Sequence, residues 1–298
     1  MQPIRLKNQK MRSRGNKLFF GTNVALTFIT VLPLFLIVGT IILKGVGQIN
    51  WSFFTEPSPT AVDAMMAKMQ ADRVVGERVV LPGGIANGIV GTLLMVVIAS
   101  LIAIPLGVLG GIYLSEAHGN KMASAVRFIT DLMQGTPSIV LGIIVYIWVV
   151  VPLGNYSALA GAVSLAIMML PLIVRSTEET LLRLPKSMKE SALALGTSYR
   201  DTVLKVLLPS ASGGLLTGIL LAVSRIIGET APLMMTALGS THISWDLMTP
   251  SSAVPLLIWE FYNDPNLIDM IWSSSLFLLV LVLTLNIIAK RIAAKRAI

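Results

Sequence analysis

The sequence predicts an all-α, polytopic membrane protein with about six transmembrane helices and a pair of short cytoplasmic helices between the fourth and fifth. Three observations carry that prediction. The 298 residues are 54% hydrophobic and only 13% charged, with a mean hydropathy of +0.79, whereas a water-soluble domain carries about 25% charged residues. Six apolar stretches are long enough to cross a hydrocarbon core about 30 Å thick. The basic residues gather in alternate connecting segments, as they do in chains oriented by the positive-inside rule.

Composition narrows the chemistry as well. The absence of cysteine removes disulfides, thiolate metal sites and cysteine nucleophiles. With His118 and His242 the only histidines, multi-histidine metal sites are not expected. The net charge of +8 does not require a nucleic acid partner, because its location accounts for it.

Taken in order, residues 1–17 form a basic arm carrying Arg5, Lys7, Lys10, Arg12, Arg14 and Lys17. The first span follows, at about 18–43. Its apolar run is longer than a signal peptide's and ends at Lys44, so it reads as a retained anchor. Residues 44–87 form the longest outer loop, with a Pro-rich start at Glu56-Pro-Ser-Pro and a possible amphipathic helix from Ala61 to Asp72. A membrane core at 88–289 holds the remaining spans, near 88–114, 128–151, 158–174, 215–238 and 270–289, with a cytoplasmic loop at 175–213. A basic tail occupies 290–298.

With both termini inside, the inner segments hold 18 of the 23 Lys and Arg, the outer ones hold Lys44, Lys68, Arg73 and Arg78, and Arg225 lies within a span. Trp51, Trp148, Trp245, Trp259 and Trp272 fall near outer span ends, where amphipathic rings settle.

The loop at 175–213 carries the most informative soluble pattern. Pro185 suits the start of a helix and Gly196 the left-handed position past its end. Ser198 and Asp201 make a capping-box-like start for a second helix, which Pro209 should interrupt. Met188, Ala192 and Leu195 would form one apolar stripe opposite Lys186, Lys189 and Glu190. Such a stripe suits either the membrane surface or a partner's groove.

Glu190-Ser191-Ala192, Gly196 and Val206-x-Leu208-Pro209 resemble the E-A-A-x3-G-x9-I-x-L-P signature of the membrane subunits of ABC importers, with Ser191 and Val206 as small departures. The resemblance implies that this helix docks into a cleft on an ATPase subunit and passes its closure to the membrane helices. The chain itself has no G-x-x-x-x-G-K-[ST] phosphate loop, so ATP and Mg would be bound by that separate subunit and no cofactor by this one.

A second pattern lies in the fifth span, at Ser224-Arg225-Ile-Ile-Gly228-Glu229-Thr230-Ala-Pro232. Counted from Leu215, Arg225 falls about 15 Å into the core. An unpartnered arginine there costs from about 2.5 to well over 10 kcal/mol. Glu229 stands four residues on, suiting either a structural ion pair or a counter-charge that yields to a passing anion. Gly228 and Pro232 loosen the helix, as backbone lining a cavity tolerates. A guanidinium with the Ser224 and Thr230 hydroxyls can grip a tetrahedral oxyanion through paired donors. Arg175, at the inner end of the fourth span, suits either membrane orientation or the pathway.

Arg225 to Pro232 also resembles the R-A-x-G-E-T-A-P stretch of phosphate-importer permeases, and Gly135-Thr-Pro-Ser-Ile-Val-Leu-Gly142 their G-x-P-S-I-V-x-G. Gly111-Ile-Tyr-Leu-Ser-Glu-Ala117 and Arg175-Ser-Thr-Glu-Glu179 are similar to further blocks. The resemblance implies a bacterial inner-membrane subunit importing phosphate by alternating access. It also implies a second permease subunit, an ATPase dimer and an external phosphate-binding protein. The stretch 61–80 departs from the shorter outer loops of that family.

Three alternatives stay open on the residues alone. The same machine could carry molybdate, sulfate or a polar organic solute. An intramembrane enzyme lacks support, since no HExxH or G-x-S-x-G occurs and Asp131 finds no second aspartate at its depth. A passive channel would conduct without nucleotide.

Overall fold

A computed structural model describes residues 9–71, 80–117 and 119–296. Arg5, Lys7, Arg73, Arg78 and His118 lie outside the described residues, as do the side chains of Lys10, Arg12, Arg14, Lys295 and Arg296. The regular structure of the described residues is helical, apart from one isolated bridge between Leu238 and Ser251, and loops join the helices.

Helix α1 (Gln9–Gly45) leads through a 3-10 turn into two short helices, α2 (Trp51–Thr55) and α3 (Ala61–Ala71). Helix α4 (Ala86–Glu116) descends to the end of the molecule that also bears residues 183–198, termed here the lower end. Helices α5 (Lys121–Gly135), α6 (Ser138–Val145) and α7 (Val151–Leu153) climb back, the last two joined by π-helical residues 146–150. After them come α8 (Ala158–Leu182), α9 (Lys186–Ala194), α10 (Tyr199–Asp201), α11 (Leu208–Ile227), α12 (Ala231–Thr236), α13 (Val254–Tyr262) and α14 (Ile268–Arg296).

Among the described residues, five stretches are long and apolar enough to span a bilayer, and the bent pair formed by 121–135 and 138–153 makes up to six. The third span, expected as one run over 128–151, is therefore broken. Between its two halves the axis bends by 107°. Pro137 has no N–H to continue the helix and forces Thr136 into an extended conformation (ψ 134°). Residues 121–127, expected as loop, belong to the first half.

The fifth span differs in the opposite sense. The second short helix does not stop at Pro209 but continues as one spanning run over Tyr199–Ile227. A π-helical stretch at Thr202–Leu207 takes up the register change and accommodates Pro209, which lies in the first turn of α11. The run ends at Ile227, well short of the expected Leu238.

Helix α8 is the axis of the fold. Gly107 and Gly111 of α4 sit against Ile173 and Thr177, and Gly214 and Gly218 of α11 against Thr180 and Ser176, with no room for a Cβ at any of the four. These two small-xxx-small faces let both neighbours approach α8 backbone to backbone, which is how helices associate where no hydrophobic effect drives them. Met95, Leu165, Met169, Ile173, Ile226 and Leu233 fill the shared core.

The upper end of α8 would leave amide groups unpaired. They are closed by the side chain of Ser157, which accepts from Ala160 N at 3.1 Å, and by carbonyls of Thr236, Thr249 and Leu247.

Outward, α1 is exposed along nearly its whole length, as at Phe20, Phe28 and Phe35, a surface stable only against lipid or another subunit. Its top meets α14, where Lys44 Nζ lies 4.8 Å from the Trp272 ring. Trp51, Trp148 and Trp245 are exposed, as headgroup-level rings are. The expected helix near residue 61 is α3, with Ala64 buried and Val62, Met65, Met66 and Met69 facing out.

Candidate functional site

Arg225 stands in the last turn of α11, and its side chain is half exposed. It borders a small crevice with Met133, Gln134, Thr136, Ser138, Leu141, Met168 and Pro171. Met168 and Pro171 lie about halfway along the 25-residue α8, so the guanidinium sits level with the middle of that helix. It borders two helix breaks rather than lying inside a continuous span.

Glu229 is indeed its neighbour, with Oε1 3.8 Å from Arg225 Nε. The pair spans the end of the helix, however. Gly228 N and Glu229 N close the last turn on the carbonyls of Arg225 and Ile226, and α12 starts afresh at Ala231 with Pro232 in its first turn. At 3.8 Å the contact is loose, so it holds the arginine weakly against a competing anion.

Of the hydroxyls assigned to this cluster, Ser224 is buried and donates to Leu220 O at 2.8 Å, turning away from the exposed arginine. Thr230 is half-buried in the break itself. The polar groups that do border the crevice beside Arg225 are Gln134, Thr136 and Ser138, at the break between α5 and α6. Thr136 and Ser138 belong to the Gly135–Gly142 motif, but nothing local in the sequence places them here, because nothing local says that Pro137 ends one helix opposite the end of another. The two breaks are held together by Gly142, where an added Cβ would stand 2.7 Å from Pro232 Cα.

Arg175 is not at the crevice. It lies one helical turn below Pro171 on the same face of α8, where Nε donates to Asp131 Oδ1 at 2.9 Å and Nη1 to Glu178 Oε2 at 2.9 Å. Glu178, 3% exposed, also accepts from Arg127 Nε at 2.6 Å. Arg127 Nη2 donates onward to Leu114 O at 2.6 Å. Asp131, weighed from sequence only as an enzymatic acid, is the ion-pair partner of Arg175. A buried carboxylate between two arginines is strongly held, and removing one partner of such a pair typically costs about 3 to 5 kcal/mol.

The lower turn has the expected geometry with one correction. Gly196 adopts φ +80°, Gly196 N donates to Leu193 O, and Ser198 Oγ accepts from Asp201 N at 3.1 Å. Thr197 Oγ1 adds a bond to Ala192 O at 2.6 Å. The apolar stripe divides, because the turn rotates its last member away. Met188 packs on Leu181, Val203 and Leu207, and Ala192 is buried, whereas Leu195 is 85% exposed beside exposed Glu190 and Ser191. Lys189 pairs with Glu116 of α4 and lies 5.3 Å from the Tyr199 ring. The result is a rigid knuckle with one leucine at its tip.

At the opposite end Glu260 of α13 packs against Gly239, whose φ of +96° turns the chain after α12. Burial pushes its carboxyl up to about 7. Among the described residues no cluster of His, Asp and Glu is arranged to hold a metal ion.

Residues 103–295 match the family model described as the inner membrane component of binding-protein-dependent transport systems. The chain belongs to that family. The match covers the broken third span, α8, the knuckle and both charged groups. The chain is also similar to the phosphate transport system permease protein PstA of Yersinia pestis, 35% identical over 98% of this chain and 94% of that one. The probable PstA of Methanocaldococcus jannaschii is 34% identical, over 96% and 95%. Among solved structures, an inward-facing MetNI methionine ABC transporter chain shares the fold at a TM-score of 0.59 and 24% identity, over 70% of this chain and 94% of that one. The protein is thus a multi-pass inner-membrane permease subunit of a transporter.

Proposed function

We propose that this permease is the PstA-like subunit of an ABC importer of inorganic phosphate, with the Arg225 crevice as its transient anion site and the knuckle at 190–198 as its attachment to the ATPase. The observation that carries this reading is the half-exposed guanidinium beside the middle of α8, loosely held by Glu229 and bordered by Thr136 and Ser138 at a second helix break. Its cost in lipid is offset only where water or an anion reaches it.

In this reading the lower end is cytoplasmic, both termini lie on that side, and a PstC-like permease completes the pathway across the open face of the crevice. A dimer of PstB-like ATPases binds ATP and Mg, and a PstS-like protein delivers phosphate from outside. Exposed Leu195 enters the ATPase groove, while Lys189 and Glu116 carry its motion to α4. Glu229 occupies Arg225 when the pathway is empty and gives way to the arriving anion. Arg175 lies one turn further in on the same face of α8, and Thr230 and Ser224 shape the break rather than both facing the anion. Transport is binding and release without a covalent intermediate.

Competition in the reconstituted complex tests the cargo. Unlabelled phosphate is expected to suppress uptake of labelled phosphate with ATP present, while sulfate and molybdate at the same concentration leave it nearly unchanged. Equal suppression by all three, or ATP-independent flux, would overturn the assignment.

A further inference from the structure

Three polar contacts join α5 to α8 in antiparallel order. Gln134 Nε2 donates to Pro171 O at 3.1 Å, Arg175 binds Asp131, and Arg127 binds Glu178. On α5 the participants are residues 127, 131 and 134, and on α8 residues 171, 175 and 178. Both sets are spaced i, i+4, i+7, one face of a helix each. The opposite face of α5 presents Met122, Ile129 and Leu132, all exposed, so α5 is held to its neighbours by this polar ladder together with the apolar cluster of Ala123 and Val126 with Val174 of α8 and Leu114 of α4.

The position of this ladder gives it a consequence. Above it, α5 ends at the 107° bend, and the residues just past the bend, Thr136, Ser138 and Leu141, border the crevice of Arg225. Below it, only 183–185 separate α8 from the knuckle helix α9. Glu178 is the one residue of the ladder that binds both arginines, and Arg127 extends it to the last turn of α4 through Leu114 O. α4 is in turn tied to α9 by Glu116 and Lys189. The lower ends of α4, α5, α8 and α9 are therefore one bonded unit.

We infer that Glu178 and Arg127 are positioning residues for transport: they make the lower half of the broken span move with α8 and the knuckle, so that a stroke on the knuckle opens or closes the crevice at the bend. The inference rests on the permease reading above but not on phosphate as cargo. Coupling of this kind needs a discrete element that both sites bias, and the bend at Thr136-Pro137 supplies one.

The measurement is the number of ions imported per ATP hydrolysed by the whole reconstituted complex, for whichever cargo the wild-type complex carries. Glu178→Gln is expected to assemble, to keep the wild-type KM for uptake, and to import at least tenfold fewer ions per ATP, with Glu178→Asp restoring most of the ratio. A purely structural role would lower hydrolysis and uptake together. An unchanged ratio in Glu178→Gln therefore overturns the inference. Arg127→Lys, which keeps the charge but gives up the bond to Leu114 O, is expected to lower the ratio several-fold and decides the matter if Glu178→Gln fails to assemble. Failure of phosphate in the competition experiment would leave this ratio measurable, so the two claims fall separately.

Discussion

Arg225→Gln is expected to leave the permease folded and assembled while uptake falls by one to two orders of magnitude. The guanidinium is half exposed and its ion pair with Glu229 is loose, at 3.8 Å, so its removal strands no tightly bonded partner. What is lost is a charge-assisted grip on the anion, about 2 to 3 kcal/mol, or roughly 30- to 150-fold in uptake. Glutamine keeps the stem and a donor but not the charge or the planar fork. Co-purification with the second permease and the ATPase checks assembly, and labelled phosphate uptake checks function. Uptake at the wild-type rate would show that Arg225 and Glu229 are only a structural pair.

Leu195→Glu is expected to detach the motor. At 85% exposure the leucine makes almost no contact within its own chain. A surface change of this kind alters folding stability by no more than about 0.5 kcal/mol. An anchor side chain buried in a partner's groove is worth about 2 kcal/mol or more, so a carboxylate there should weaken ATPase association at least about 30-fold. Pull-down in mild detergent should therefore lose the ATPase while keeping the second permease. Retention of the ATPase would place the contact elsewhere on the chain. Ala192 offers a contrast. It is buried, and its carbonyl accepts from Thr197 in the turn, so a bulky residue there would damage the turn itself rather than the docking surface.

The membrane architecture was legible because its cause is local. Apolar length located four long helices near their observed positions, and Gly196 with Ser198 located the turn. The third and fifth spans were misread for a shared reason. Pro137 looks like one more proline in an apolar run, as do Pro33, Pro105 and Pro171, which remain inside helices. Whether such a residue bends a helix, breaks it or is absorbed depends on what packs beside it, and at Pro209 a π-helical register shift absorbs it.

The candidate site was half legible for the same reason. A charge at membrane depth announces itself in sequence, so Arg225 and Glu229 stood out. Ser224 was misplaced because proximity in sequence does not fix the face: its hydroxyl returns to Leu220 O. Thr136, Ser138 and Gln134 arrive from a different helix, and that meeting is a tertiary fact. The ladder from Arg127 to Glu178 left a trace, the paired i, i+4, i+7 spacing on two segments. Only the antiparallel packing of α5 on α8 brings the two rows into register.

The central claim is that water and anion reach the Arg225 crevice from one side of the membrane at a time. The chain has no cysteine, so a single Ser138→Cys in an otherwise cysteine-free complex reports on that crevice alone. Its labelling by a charged, membrane-impermeant thiol reagent should be slowed by phosphate, and the side from which it is labelled should switch when ATP and vanadate trap the ATPase closed. A thiol that only lipid-soluble reagents reach, at a rate indifferent to phosphate and nucleotide, would contradict the account.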